Sequence, residues 1–401
     1  MASTVRLFDK NSHLYEFDAV VLSCESIDTE RYAVILDRTA FFPEGGGQYA
    51  DVGTIDGLPV LDVQEKEGGV IHHLLPSPLS VGTTVTGILD SDIRFRRMQN
   101  HTGEHILSGL IFKAYGFHNV GFHLGHGDVT MDVGGVLDRA QLDAIEVEAN
   151  RAVAKCLPVS AFYPTSEELS ALEYRSKEPL LHDTESRGIR IVDIPGYDRC
   201  ACCAPHVGNT GEIGIIKILD CIHYKGGMRL HIRCGFDALE DYRFRYTAIR
   251  EMATSLSIKQ CEIVEGLDKV LDDLSTARRT VSELRQKLWQ QTLDTLPEHN
   301  RYLCLFEESA DMAASARKIV TQAAARCDLW CALFIGNDTD GYRYTVGKGV
   351  SMPDVKVIAP AMNHALNGRG GGSADMIQGQ VSASRADIQA YFKAISQAYE
   401  A

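Results

Sequence analysis

At 401 residues the chain is too long for a single hydrophobic core, so two to four domains are expected. Hydrophobic residues make up 45% of it, and no apolar run approaches the roughly 20 residues that span a bilayer, which predicts no membrane part and a cytoplasmic location. The formal net charge of −14 argues against indiscriminate nucleic-acid coating, so RNA binding would need local patches such as Arg94, Arg96 and Arg97.

Taken in chain order, the sequence predicts a multidomain α+β protein. Residues 1–90 are short β runs between Gly, Pro and Asp turns, which predicts a small N-terminal β-barrel. Residues 91–236 mix helical and strand patterns and predict an α+β domain that contains zinc. Residues 298–401 return to strand and helix order and predict an α/β domain with a glycine-rich loop.

Residues 237–297 have a different pattern. Apolar residues recur alternately three and four positions apart, which predicts a helical hairpin or an antiparallel coiled coil. Ser257 followed by Gln260 resembles a capping box at the start of the second arm. Such seams are compatible with a homodimer through this hairpin or through the C-terminal domain.

Two short pairs of residues have the chemistry of metal ligands. His101 and His105 stand four apart in a helical pattern, so both imidazoles project from one face. Cys202 and His206 lie in a turn-rich stretch, RCACCAPHVGNTGEIG. Either pair alone could be structural, as solvated histidines or buried thiols. Together they form a Cys/His₃ set that predicts one zinc ion per chain, either catalytic or ordering the pocket, since four protein ligands close a tetrahedral site.

Five motifs resemble those of free-standing alanyl-tRNA editing proteins and of the editing half of alanyl-tRNA synthetase. They are TAFFPEGGGQYADVG, HTGEHILSG, NVGFHLG, CCAPHVGNTGEIG and NGRGGGSADMIQGQ, the last similar to the C-terminal domain shared with DHH-type phosphoesterases, here called DHHA1-like. The resemblance implies hydrolysis of the ester that joins a wrong amino acid, chiefly serine and sometimes glycine, to alanine-specific tRNA. It also implies zinc binding by His101, His105, Cys202 and His206.

The chain departs from the family pattern at two positions. Glu104 and Pro205 stand where family members often carry threonine, which leaves the choice between serine and glycine open. Glu104 is adjacent to His105, and we hypothesise that it activates the attacking water; a solvated carboxylate or a partner of His105 is the alternative.

Further residues are candidates for contacts with the substrate and the tRNA, and each has a plain structural alternative. The turn before Tyr49 could approach the terminal adenosine or the acyl group, the VGFH segment could form a pocket wall, and the glycine-rich loop could bind tRNA phosphates. A barrel turn, a core histidine and a tight turn are the respective alternatives. The candidates are Gly46, Gly47 and Gln48; Gly121, Phe122 and His123; and Arg369, Gly370, Gly371 and Gly372.

Two other functions compete with editing. Residues 101–105 also match H-x-x-E-H, the inverted zinc-protease motif, which would predict a metallopeptidase. A zinc closed by four ligands would instead suit a non-catalytic RNA-binding protein.

Overall fold

The computed structural model describes residues 3–125, 129–176 and 188–399, which fall into two compact units, residues 1–250 and 251–401. Each unit contains helices and sheets around its own hydrophobic core, so the multidomain α+β class is confirmed. The boundaries predicted at residues 90, 236 and 297 lie within these units and stay predictions.

Seven strands of the first unit form one sheet in which every neighbouring pair is antiparallel. In spatial order they are β6 (Leu58–Pro59), β5 (Gly53–Ile55), β9 (Thr84–Leu89), β2 (Glu16–Ser26), β3 (Tyr32–Leu36), β8 (Val70–Leu75) and β7 (Asp62–Lys66). The outer strands β6 and β7 are consecutive: the Val60 amide donates to Gly53 at 2.9 Å, and the Leu61 amide donates to Leu74 at 2.8 Å. Residues 58–66 therefore run from one edge strand of this sheet to the other.

The core of this sheet follows from alternation along its strands. In β2, Phe17, Ala19 and Val21 are buried and their neighbours are more exposed, because successive side chains of a strand point to opposite faces. Beside the sheet, β1 (Val5–Arg6) pairs in parallel with β4 (Arg38–Thr39).

The rest of the first unit is built around the 25-residue helix α1 (Ser91–Tyr115). Asp90 caps its start by accepting a hydrogen bond from the Ile93 amide at 2.9 Å, and Gly116 ends it with a φ of +72°. Helices α1 and α2 (Arg139–Ala154) contribute to one buried core with an antiparallel sheet. The order of that sheet is β10 (Asn119–Leu124), β11 (Val129–Val133), β16 (Gly227–Cys234) and β15 (Ile216–Tyr224).

A second, smaller sheet of this unit leads to the loop with Cys202. It has the order β12 (Ser160–Phe162), β13 (Ile191–Ile194) and β14 (Asp198–Ala201), with the short helix α3 (Ser166–Ala171) after β12.

Two helices follow β16. They are α4 (Gly235–Leu256), which crosses the boundary between the units, and the 33-residue α5 (Ile263–Thr295). Ser257 has a φ of +55°, and α5 begins after Glu262 without a side-chain cap, so the predicted capping box is wrong. Apolar residues of the second predicted seam are exposed on α5, for example Leu267 at 50% and Leu288 at 61%. Their pairing in a coiled coil stays a prediction.

The second unit contains a five-stranded sheet between two apolar clusters. Its order is β17 (Asn300–Glu307), β18 (Cys327–Asn337), β19 (Gly341–Lys348), β21 (Met376–Val381) and β20 (Gly368–Gly372), and only β17 and β18 among these described strands are parallel neighbours. Besides α5, this unit contains the helices α6 (Ala316–Ala324), α7 (Ala359–Ala365) and α8 (Arg385–Ala398).

The glycine-rich segment is an edge strand, β20, and not the predicted loop. Its glycines allow β21 to approach closely: a Cβ at Gly370 would lie 2.4 Å from the Gln378 carbonyl oxygen, and one at Gly372 would lie 2.2 Å from that of Met376. The segment therefore has a structural reason for its composition.

Among the described residues, no helix combines the length and the apolar character needed to cross a membrane.

Candidate metal centre

Two histidines lie on the buried face of α1. His101 and His105 are 1% and 0% exposed, and their ring centroids are 5.3 Å apart. Gly103 between them lets β16 pack closely, since a Cβ there would lie 2.3 Å from Sγ of Cys234. The helix therefore presents two imidazoles, one turn apart, to the interior of the unit.

The other two candidate ligands lie in the loop after β14, and a buried arginine fixes that loop. Arg190 is 7% exposed, and its Nη1 donates to the carbonyl oxygens of Cys202 at 3.0 Å and Ala204 at 2.9 Å. These bonds hold the loop backbone between Cys202 and His206 against the unit, so both side chains have defined directions.

The structure brings the four predicted ligands together. Their ligand atoms all lie within 4.8 Å of one another. Sγ of Cys202 is 3.5 Å from Nε2 of His101 and 3.4 Å from Nε2 of His206. The ring of His105 is 4.6 Å from that of His206. Three imidazoles and one thiol in a buried cluster are a ligand set that can hold a metal ion.

Hydrogen bonds at Nδ1 orient two of the imidazole rings. Thr102 donates its hydroxyl proton to the Met98 carbonyl at 2.7 Å, so its oxygen accepts from Nδ1 of His206 at 3.0 Å. Nδ1 of His101 is 2.9 Å from Oε1 of Gln48. Both contacts favour the tautomer with the proton on Nδ1, which leaves the Nε2 lone pair for a metal.

His105 is held by a carboxylate. Its Nδ1 is 2.9 Å from Oδ2 of Asp198, whose other oxygen accepts from Nε of Arg175 at 2.7 Å. Burial alone would raise the pKa of Asp198, but the bonds from His105 and Arg175 keep that pKa below its usual value. The carboxylate is therefore ionised and able to orient the imidazole.

The protonation states of the cluster also suit a metal. Burial lowers the pKa of His206 to about 3, so this imidazole is neutral at pH 7. Burial would raise the pKa of the Cys202 thiol, but the neighbouring His101 and His206 hold it well below its usual value. A neutral imidazole and a thiolate are the forms that bind metal ions.

The predicted wall residues lie against this cluster. The Leu124 amide donates to the Gly47 carbonyl at 2.8 Å, which joins the turn before Gln48 to β10. Gly47 has a φ of +79°, and a Cβ there would lie 2.2 Å from the Phe122 carbonyl oxygen. The Phe122 ring is 4.8 Å from that of His101. Close approach at Gly47 therefore places the glycine turn and β10 side by side at the ligands.

The remaining wall candidates surround this contact. A Cβ at Gly46 would lie 3.7 Å from Sγ of Cys203, and one at Gly121 would lie 3.0 Å from Oδ2 of Asp132. The ring of His123 is 5.8 Å from that of Tyr49 and is exposed rather than in the core. Arg369 and Gly370–Gly372 belong to β20 of the second unit.

Glu104 is fully buried beside the cluster. Its Oε1 accepts hydrogen bonds from the Ser108 hydroxyl and, at 2.5 Å, from Nδ2 of Asn119. It is therefore not a solvated carboxylate, and the oxygen that accepts from Nδ1 of His105 is Oδ2 of Asp198.

The arginines that the sequence suggested for RNA binding are engaged within the protein. Arg94 is fully buried in an ion pair with Asp51, and Arg97 is 6% exposed. Arg96 donates to Asp237 at 2.8 Å and to Glu240 at 2.5 Å. That interpretation is wrong, because Arg94 and Arg97 share an inward face of α1 and both approach Asp51. Arg96, on another face, is paired with two carboxylates of α4.

Sequence reasoning missed several residues that support the ligands. Thr102 is part of the H-T-x-x-H segment and could have been found there, since it is next to a ligand. No helical spacing in the sequence links the other supporting residues to a candidate ligand. Only the folded chain shows the roles of Asp198, Arg175 and Arg190.

Two family models match parts of the chain. Residues 10–93 match class II (A) tRNA synthetases, and residues 189–235 match the threonyl and alanyl tRNA synthetase second additional domain. The first match contains Gln48, and the second contains Cys202 and His206.

Curated relatives match over more of the chain. An alanyl-tRNA editing protein, AlaX-L of Pyrococcus horikoshii, is 31% identical over 71% of this chain and 71% of its own length. The alanyl-tRNA editing protein Aarsd1 of Danio rerio is 26% identical over 96% of both chains. The alanine–tRNA ligase of Ignicoccus hospitalis is 34% identical over 72% of this chain, which spans 32% of that ligase. The chain thus spans less than half the length of such ligases.

Proposed function

The chain belongs to the family of alanyl-tRNA editing proteins, and from this premise we propose that it is a trans-editing hydrolase. Its substrate is alanine-specific tRNA carrying the wrong amino acid, serine and also glycine, and the products are free amino acid and free tRNA. The reaction takes place beside one zinc ion held by His101, His105, Cys202 and His206.

The convergence of these four side chains is the observation that carries the proposal. A neutral imidazole and a thiolate, within 4.8 Å of the other two ligand atoms, match the soft to intermediate donors that zinc prefers. Zinc in such a site supplies a positive charge that can polarise a carbonyl or order the pocket.

Gln48 is the side chain best placed to bind the acyl group. Its Oε1 is taken by His101, and its buried Nε2 has no hydrogen-bond partner among the described residues. Leaving a buried amide donor unsatisfied costs about 1–3 kcal/mol, so a substrate oxygen that accepts from it gains that much. Gly46, Gly47, Gly121, Phe122 and His123 form the wall beside it, with the glycines giving room for the terminal adenosine.

Glu104 is proposed as the general base that accepts a proton from the attacking water. Its complete burial beside two ligands supports a role in the site, whereas its bonds to Ser108 and Asn119 also suit a carboxylate that only orders the helix. Glu104→Gln separates the two roles if its zinc content stays at one ion per chain. A rate near that of the wild type removes Glu104 as the base, and complete loss with zinc retained supports it.

Contacts outside the pocket complete the proposal. Arg369 with Gly370, Gly371 and Gly372 binds tRNA phosphates through the guanidinium and the exposed backbone of the edge strand β20. The exposed apolar residues of α5 support a homodimer through that helix.

The competing functions have weaker support. A metallopeptidase with H-x-x-E-H would keep an open position on the metal, but here a thiol joins the three imidazoles as a fourth candidate ligand. A purely structural zinc does not account for the buried Nε2 of Gln48, which has no hydrogen-bond partner among the described residues.

The deciding experiment incubates the pure protein with seryl-, glycyl- and alanyl-tRNA that all carry the alanine acceptor stem, with and without a zinc chelator. We expect loss of the seryl and glycyl esters, stable alanyl-tRNA, and no hydrolysis after chelation. Stability of all three esters would refute the editing function. Peptide cleavage without ester hydrolysis would support the peptidase.

A further inference from the structure

Helix α4 carries exposed aromatic and apolar side chains on one side. Tyr242, Tyr246 and Ile249 are 65%, 44% and 39% exposed. They are spaced four and three residues apart and therefore lie along one line of the helix. The two tyrosine rings are stacked, with centroids 6.1 Å apart and planes at 19°. We call these three residues the tyrosine stripe.

Exposed arginines flank the tyrosine stripe on both sides. At roughly 100° per residue, Arg243 and Arg250 lie on one side of it and Arg245 on the other. The Arg245 side chain is 61% exposed and forms an ion pair with Asp241 at 2.6 Å. Residues 242–250 contain three arginines and no acidic residue, and the neighbouring Asp241 offsets the charge of Arg245, so this side of α4 has a net positive charge.

Two carboxylates of α4, those of Asp237 and Glu240, point the other way. Asp237 and Glu240 bind Arg96 of α1, and Asp237 also accepts from Nδ2 of Asn100 at 2.6 Å. These contacts anchor the acidic side of α4 to α1. They fix the rotation of the helix and leave the tyrosine stripe facing outward.

We propose that the tyrosine stripe and its arginines bind the RNA of the substrate, outside the pocket that holds the aminoacyl ester. The inference rests on the proposed function, which makes tRNA the partner. Guanidinium groups bind phosphates, and tyrosine rings stack on bases, a combination typical of RNA-binding surfaces. Because the chain as a whole carries −14, most of its surface repels RNA, and a local positive surface determines where the RNA makes contact.

Charge also disfavours a second copy of this chain as the occupant. A helix pair formed through the tyrosine stripe would place arginines of both copies along the same two edges, without acidic partners among residues 242–250. Like charges at those flanks destabilise helix pairs. RNA phosphates neutralise them.

The test measures binding of fluorescently labelled, unacylated alanine-specific tRNA by anisotropy over a range of salt concentrations. The variants are a double substitution, Tyr242→Ala with Tyr246→Ala, and Arg243→Ala. Phe244→Ala is the matched aromatic control, because it is 75% exposed on the opposite side of the same helix. Arg139→Ala on α2 is the arginine control, with a side chain 55% exposed.

We expect the tyrosine pair to weaken tRNA binding roughly tenfold or more. Arg243→Ala should lower the slope of log affinity against log salt by about 0.7–0.9. In ester hydrolysis both variants should raise KM and keep kcat, because neither touches the pocket, and both controls should behave as the wild type.

Unchanged tRNA affinity and salt slope in the stripe variants would overturn the inference. So would a wild-type dimer, measured by light scattering, that these variants dissociate without a change in tRNA affinity. Failure of the proposed function is distinguishable, since it appears as absence of hydrolysis by the wild-type protein.

Discussion

Asp198→Asn tests whether this carboxylate orients the imidazole of His105 for metal binding. Asp198 is 8% exposed and links His105 at 2.9 Å to Arg175 at 2.7 Å. Asparagine has nearly the same size and can still accept one hydrogen bond through its oxygen. It removes the negative charge that fixes the imidazole and that balances the guanidinium.

Two magnitudes follow from these contacts. Loss of a carboxylate that holds a metal-binding imidazole costs 10- to 100-fold in metal affinity, or about 1.4–2.7 kcal/mol. Removing the partner of Arg175, whose side chain is 9% exposed, costs the metal-free protein about 3–5 kcal/mol of unfolding free energy. Because asparagine retains one acceptor, the lower end of that range is expected.

Competition with a chromophoric chelator measures the zinc affinity, and urea unfolding of the metal-free protein measures stability. Asp193→Asn is the matched control: Asp193 pairs with Arg199 at 2.8 Å in the same hairpin, but that arginine is 40% exposed. It should change stability by less than about 0.5 kcal/mol and leave zinc affinity unchanged. Wild-type zinc affinity in Asp198→Asn would refute the role assigned to this carboxylate.

Three further changes have defined outcomes. Gly47→Ala should slow seryl-tRNA hydrolysis at least about tenfold, since its Cβ would lie 2.2 Å from the Phe122 carbonyl oxygen. The control Gly57→Ala has the same φ of +79° but open space around it, so it should cost about 1 kcal/mol of stability and leave the rate unchanged. Equal hydrolysis rates in the two variants would contradict this prediction. Burial lowers the pKa of His73 to about 4, so below pH 6.5 this histidine takes up a proton in the unfolded chain before it does so in the folded one. About 2 kcal/mol of unfolding free energy is therefore lost between pH 7 and pH 5. In urea unfolding, His73→Gln should lose about 2 kcal/mol less than the wild type over the same pH range. Cys202→Ser should abolish the thiolate-to-metal absorption of the cobalt-substituted protein, and its persistence would exclude Cys202 as a ligand.

The four candidate ligands that converge in the structure could be predicted from the sequence because each pair is local. His101 with His105 and Cys202 with His206 have recognisable types at recognisable spacings. Together they form a Cys/His₃ set suited to zinc, and the family resemblance implies the same four residues. Their outer partners could not be found in this way. Asp198 and Gln48 reach the imidazoles only through the packing of β14 and of the glycine turn onto α1.

Other errors have the same physical origin. Arg94 seemed to be part of a basic patch because Asp51, which pairs with it, is distant in sequence. The glycine-rich segment suggested a loop, because its pairing with β21 is not visible in its composition. The capping box predicted for α5 is wrong because Ser257 has a left-handed conformation at the end of α4 and does not cap the next helix.

Returning zinc to the metal-free protein tests the central claim most directly. The measurement is the single-turnover rate of seryl-tRNA hydrolysis as zinc is added in fractions of one equivalent per chain. The rate should rise from near zero in proportion to zinc and stop rising at one equivalent. A metal-free protein that hydrolyses the ester at the full rate, with zinc adding nothing, would contradict a zinc-containing editing site at His101, His105, Cys202 and His206.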